Sequence, residues 1–163
     1  MNEKFFDLKK EKQDRMINAS LKVFAMNGYA HASTDDIVRE AGISKGLLFH
    51  YFVSKLGLYS FIYDYSIRYV ILELTTGVDK EETDYFRLVG QIREAELQVM
   101  RNYPCMMLFL NNSRLENVSE VLLETEDKRN ILSEKYAQIL SQATGEELDE
   151  RLSRKQLSEM IRF

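Results

Sequence analysis

Residues 33–52, STDDIVREAGISKGLLFHYF, leave this chain few ways to fold. Thr34 or Ser33 caps a first short helix, and Asp35 and Asp36 fall in its opening turn, where carboxylates suit the positive end of the helix dipole. Ile37, Val38 and Ala41 give that helix an apolar side. Gly42 stands where a chain leaving a helix takes a positive φ, and Ser44 caps a second helix two residues later. So tight a re-entry makes the two helices cross steeply, the geometry of a helix-turn-helix. The pattern points to DNA as a partner.

The second helix carries the reading surface. At about 100° per residue from Ser44, Leu48 and Phe52 share one side, while Lys45, Gly46, Phe49 and His50 share the other. A merely solvated face would hold several charges, yet only Lys45 is charged here. Gly46 costs about 1 kcal/mol relative to alanine inside a helix. Either it admits a phosphodiester or base edge close to the backbone, or it is tolerated in a short first turn. His50 points outward on the wheel, which argues against a buried structural histidine.

Phe24, the turn Asn27-Gly28-Tyr29, Thr34, Ile37, the string Ala41-Gly42-Ile43-Ser44-Lys45-Gly46, Leu48, His50-Tyr51-Phe52 and Ser54-Lys55 together resemble the TetR family of bacterial transcriptional regulators. The resemblance covers about residues 12–72, with the helix-turn-helix at about 33–52. It implies an all-α protein: an N-terminal three-helix DNA-binding domain, then a helical-bundle domain (73–163) for effector binding and dimerisation. It also implies a homodimer reading a palindromic operator on double-stranded DNA. Two positions depart from the family pattern. The family usually carries tyrosine, whose hydroxyl reaches the DNA backbone, where this chain has Phe49. Leu47 replaces a small or hydroxylated residue, and contact with a thymine methyl and a fold back into the core both stand as readings. The candidate DNA contacts are Thr34, Ser44, Lys45, Gly46, Leu47, Phe49, His50, Tyr51 and Lys55.

Lys55 has an argument of its own. Ser54 reads as a helix cap, so Lys55 occupies the first helical position, where a cation is unfavourable. A bound phosphate would account for it, because helix N-termini donate backbone N–H groups to phosphates. Ahead of the motif, Met16, Ile17, Ser20, Leu21, Phe24 and Ala25 recur at three-to-four spacing, and Asn27-Gly28 is a strong stop. Lys9, Lys10, Lys12 and Arg15 are interleaved with Glu11 and Asp14, the pattern of a solvated face.

Charge divides the chain the same way. Residues 1–55 hold nine Lys/Arg against seven Asp/Glu, and residues 56–163 hold thirteen against nineteen, for an overall −4. An acidic chain lacks the broad basic surface of indiscriminate nucleic-acid binding, but a locally basic module repeated in a dimer still binds DNA. One cysteine excludes an internal disulfide framework and suits a reducing compartment, so a cytoplasmic location is expected. The first residues lack the apolar stretch of a signal peptide, and no run of about 18 apolar residues offers a membrane span.

From residue 54 onward the periodicity is helical. Leu58, Phe61, Ile62, Tyr65, Tyr69 and Leu72 mark a long helix ending near Thr76-Gly77. Asp79 with Glu82 reads as a capping box for a helix through Val99 and Met100. Pro104 stops it, and residues 104–110 are apolar all round, as buried segments are. Asn117 with Glu120 opens one long helix closing near Gly145, and Ser153 with Gln156 starts a last one. The resemblance implies two substantial closing helices. Only the first begins here, so the second domain is expected to be incomplete at its C-terminus.

Aromatic and methionine side chains crowd the second domain. Buried tyrosine hydroxyls need partners, and methionine adapts to irregular ligand shapes. With the family's effector pocket in mind, the expected lining is Tyr65, Tyr69, Tyr103, Met107 and Phe109. Few charges point inward on the wheel, which favours a small, largely apolar effector over an anion. Repression, relieved by that effector through the helix that starts at Lys55, is the mode the resemblance implies. An enzyme is disfavoured: Cys105 sits in an apolar run away from both histidines, and phosphate-binding glycine loops and nucleophile elbows are absent. No cofactor and no metal site is expected. The remaining alternative is a helical ligand-binding or protein-interaction module without DNA binding.

Overall fold

The computed structural model describes residues 3–144. A 3₁₀ turn (Glu3–Asp7) leads into α1 (Lys10–His31), α2 (Thr34–Ala41), α3 (Lys45–Phe52) and α4 (Lys55–Gly77). There follow α5 (Tyr85–Asn102), α6 (Met106–Ser113), α7 (Ser119–Thr125) and α8 (Ile131–Leu140), and no strand occurs among the described residues. The all-α expectation holds, with a helix-turn-helix in the N-terminal domain and a helical domain after it.

Local chemistry explains each joint of the first domain. Regular α1 geometry breaks at Gly28, whose φ is 71°. Ser33, not Thr34, caps α2: its hydroxyl accepts from the backbone N–H of Asp35 at 3.1 Å and of Asp36 at 3.4 Å. Gly42 takes the left-handed conformation (φ 65°, ψ 39°) at the end of α2. Ser44 Oγ then accepts from Leu47 N–H at 3.1 Å, and Ser54 Oγ accepts from Gly57 N–H at 3.0 Å. At Gly57 a Cβ would lie 2.2 Å from the carbonyl oxygen of Phe52, so only glycine lets α4 start that close to the end of α3. Between them Val53, exposed and β-branched, adopts φ 66°, a conformation costly for such a residue.

Helix α4 is the shared spine. It passes unbroken through the expected domain boundary at 72–73 and packs along α1, α5, α6, α7 and α8. An aromatic cluster joins the two halves: the ring of Tyr59 lies 5.0 Å from Phe24 of α1 and 5.4 Å from Phe109 of α6. Beside it Phe5, wholly buried, meets Phe61 at 5.0 Å and Phe52 at 5.4 Å. Gln13, also buried, donates to the carbonyls of Phe6 and Leu8 at 3.0 and 2.6 Å and holds this turn in place.

Other elements differ from expectation. The cap of α5 is Asp84, accepting from Arg87 N–H at 2.9 Å. Asp79 instead accepts from Glu81 N–H, and Glu82 from the N–H groups of Thr83 and Asp84, so the two acids order the loop before the helix. The segment 104–110 is not buried all round: Met106, Phe109 and Leu110 are inside, Pro104 and Leu108 outside. The single long helix expected after Asn117 is two, α7 and α8, parted by a 3₁₀ turn (Glu126–Lys128). That break brings Lys128 to 3.2 Å from Asp64 of α4, where a buried carboxylate gains a second cation besides Arg68 at 3.0 Å. The helix expected from Ser153 lies outside the described residues.

Truncating Phe5 tests the wedge. Phe5→Ala is expected to lower unfolding free energy by about 3–5 kcal/mol, as large-to-small core changes do. Urea unfolding followed by circular dichroism measures it, and a loss below about 1 kcal/mol would show the turn to be peripheral.

Candidate nucleic-acid interface and ligand cavity

Two side chains hold α3 down: Leu48 is 1% exposed and Phe52 6%. The opposite side is open, with Ser44, Lys45, Gly46 and His50 exposed and Leu47, Phe49 and Tyr51 half-buried. Leu47 therefore neither projects freely nor joins the core. Lys45 Nζ lies 2.9 Å from Asp35 Oδ1 on α2, and this ammonium holds the Asp35 carboxyl below the usual carboxylate range. The same ammonium stands 6.0 Å from the centre of the Phe49 ring. The His50 ring meets Tyr51 edge-on at 4.9 Å, and Tyr51 in turn packs against Phe5 at 5.9 Å. Tyr51 is thus tied to the core by its ring. Thr34 is half-buried at the first position of α2.

Gly46 has no internal explanation. Nothing lies within 4 Å of where its Cβ would be, and its φ is not among the positive ones. Lys55 does have one. Its ammonium donates to the carbonyls of Tyr29 at 2.8 Å and Ala32 at 3.3 Å, and lies 4.4 Å from the centre of the Tyr29 ring. The cation at the start of α4 is accounted for by acceptors at the α1–α2 corner, without a phosphate.

The second domain holds a cavity of ≈ 180 Å³ between α4, α5, α6 and α8. Its apolar wall is Tyr63, Ile67, Met107, Leu110, Leu132 and Tyr136. Of the five residues expected to line it, only Met107 does. Phe109 faces the other way, into the cluster with Tyr59 and Phe24. Tyr65 and Tyr103 join a separate hydroxyl network against α1, while the Tyr69 ring packs edge-on against Tyr103 and its hydroxyl accepts from Asn102 at 2.7 Å. Tyr103 donates to Asp14 at 3.2 Å, accepts from Lys10 at 3.3 Å, and pairs with the Tyr65 hydroxyl at 2.6 Å. Burial pushes the Tyr103 phenol up to about 12. Helical spacing puts Tyr65 and Tyr69 on one face of α4 but does not show on which side of that helix the void opens.

The cavity is also more charged than expected. Glu96, 2% exposed, lines it together with Arg114 and Arg129. Glu96 Oε1 accepts from Tyr136 at 2.8 Å and Oε2 from Arg93 at 3.0 Å. Burial raises the Glu96 carboxyl above its ordinary value, against the pull of Tyr136 and Arg93. Among the described residues no cluster of His, Cys, Asp and Glu suits a metal, and no helix is long and apolar enough to cross a membrane.

A carboxyl raised on folding binds its proton more tightly in the native chain. Its contribution to stability is present below the ordinary value of 4.5 and lost as pH rises through the raised one. Glu96→Gln should remove that loss, so the variant's stability relative to the parent rises with pH above 4.5. Urea unfolding across that range checks it; parallel profiles for the two proteins would contradict it.

The family model of bacterial regulatory proteins of the tetR family matches residues 16–60, which takes in most of α1, all of α2 and α3, and the start of α4. An uncharacterized HTH-type transcriptional regulator of Bacillus subtilis (strain 168), YuxN, is 38% identical over 93 residues, 55% of this chain and 32% of that protein. The chain thus spans about a third of that relative's length. Among solved structures, the TetR family regulator PfmR from Thermus thermophilus superposes with a TM-score of 0.61 at 20% identity, covering 90% of this chain and 79% of that one. A TetR-like regulator from Rhodococcus sp. RHA1 gives 0.61 at 23% identity, covering 94% and 77%. At these identities the superpositions establish a shared fold.

Proposed function

We propose, from the match of residues 16–60 to the model of the tetR family of bacterial regulatory proteins, that this chain is a DNA-binding transcriptional regulator whose α3 enters the major groove. The observation that carries the proposal is the two-sided character of α3: Leu48 and Phe52 buried, Lys45, Gly46 and His50 offered outward. Gly46 adds weight, since the fold gives no reason for a glycine there and a close-approaching DNA backbone does. His50 supplies a hydrogen-bonding edge to bases, and Lys45 exchanges Asp35 for a phosphate or a guanine. Ser44 and Thr34 sit at helix starts, where hydroxyls reach phosphate oxygens. A homodimer would set two α3 helices about 34–36 Å apart, in successive major grooves of a palindromic operator. The mode of action is repression, with the operator released when a small molecule fills the cavity of the second domain.

The route from cavity to DNA runs through α6 as well as α4. One side of α6 lines the cavity with Met107, Leu110 and Asn111. From the same helix, Asn112 donates to the carbonyl of Ala25 in α1 at 2.9 Å. Just beyond it, Glu116 accepts from the N–H of Tyr29 at 2.8 Å, beside the carbonyls that hold Lys55. A ligand that binds better to one setting of α6 than another shifts the α1–α2 corner by that difference in affinity, typically 1–3 kcal/mol of coupling.

Lys45→Ala and His50→Ala are each expected to weaken binding to duplexes selected from a random pool by about 1–3 kcal/mol, with stability unchanged. Gly46→Ala is expected to weaken DNA binding while raising thermal stability by up to about 1 kcal/mol. Fluorescence anisotropy titrations at several salt concentrations measure the first effects, and thermal unfolding the last. Unchanged affinity for all three variants would remove α3 from the interface.

A further inference from the structure

The charges around the cavity carry more than its volume does. Arg15, Arg39, Arg68, Arg93 and Arg101 each lie within 4.0 Å of a carboxylate. Arg114 and Arg129, which line the cavity, form no ion pair among the described residues. The guanidinium of Arg129 acts on the phenols of Tyr59 and Tyr63, opposing the upward push of burial, so its charge is felt at the cavity wall; Asp127 acts on Tyr63 in the opposite sense without lining the cavity. The buried carboxylate at Glu96 already has Tyr136 and Arg93 as partners. It repels a second negative charge and directs any anion toward the arginines.

We infer that the cavity takes a small organic carboxylate: an apolar body seated on Ile67, Met107, Leu110 and Leu132, with its anionic end on Arg114 and Arg129. This rests on the reading of the cavity as the effector site. Its size fits the class, since a cavity of about 150 Å³ admits benzene and this one measures ≈ 180 Å³. Planar guanidinium groups match a carboxylate with paired N–H donors, as a lysine would not. The hydroxyl of Ser133 and the amides of Asn111 and Asn130 line the same cavity and offer hydrogen bonds to its remaining oxygen lone pairs.

The ligand class is tested by calorimetry, and a parallel DNA titration separates it from the effector role. Phenylacetate and hexanoate, their neutral amides phenylacetamide and hexanamide, and the cation phenethylamine are titrated into the full chain by calorimetry. At least one carboxylate is expected to bind at one per chain, at least tenfold more tightly than its amide. Arg114→Gln and Arg129→Gln should each remove most of that preference and leave amide binding in place, with circular dichroism confirming the fold. Equal affinity for acid and amide, a preference for phenethylamine, or binding by none of the probes would overturn the inference. Carboxylate binding that leaves DNA affinity unchanged would uphold this ligand class and refute the effector role proposed above. DNA binding without any carboxylate binding would refute this ligand class and leave the DNA-binding reading standing.

Discussion

The DNA-binding reading of this protein depends on how the back of α3 is buried. Leu48 and Phe52 are buried at the back of the helix, and Phe52 packs on an aromatic floor that includes Phe5 and Phe61. A helix of eight residues has no stability of its own in water. Ser44 caps its start, and burial of Leu48 and Phe52 supplies the tertiary hold that so short a helix needs. Its outer face is therefore free of structural duty, which is the condition for reading another molecule.

The same economy governs the joint between domains. Tyr59 of α4 lies between Phe24 of α1 and Phe109 of α6, so the core of the DNA-binding half is continuous with that of the second domain. Polar contacts then set the register on that apolar contact. Asn112 and Glu116 reach α1 from the α6 side, and the Tyr65–Tyr103–Asp14 network reaches it from α4 and the end of α5. Lys55 ties the first residue of α4 to the α1–α2 corner. A displacement of α6 or α4 has few ways to be absorbed before it reaches the turn that carries α3.

What the sequence made legible follows from where local chemistry decides. The helix-turn-helix was readable because serine caps and Gly42 act over two or three residues, and α4 because its apolar period runs for more than twenty. The open side of α3 followed from angular position alone. Lys55 did not: its partners, Tyr29 and Ala32, are more than twenty residues away, and no local pattern shows a carbonyl turned toward it. The wedge of Phe5 was missed because one buried ring in a short 3₁₀ turn leaves no periodic signal. The cavity was misplaced for a related reason. Tyr65, Tyr69 and Tyr103 carry the right composition for a pocket, but the packing of α5 and α6 closes that side and opens the one lined by Tyr63 and Ile67. Glu96, a single acid among helical charges, became notable only once its burial was known.

Selection of bound duplexes from a random pool, run in parallel with the parent chain and with a His50→Gln variant, addresses the central claim most directly. If the exposed side of α3 reads bases, the parent should enrich an inverted repeat, and the variant should change the preferred base at one position of each half while keeping the spacing. Identical sequences from both proteins, or no enrichment by the parent, would contradict it.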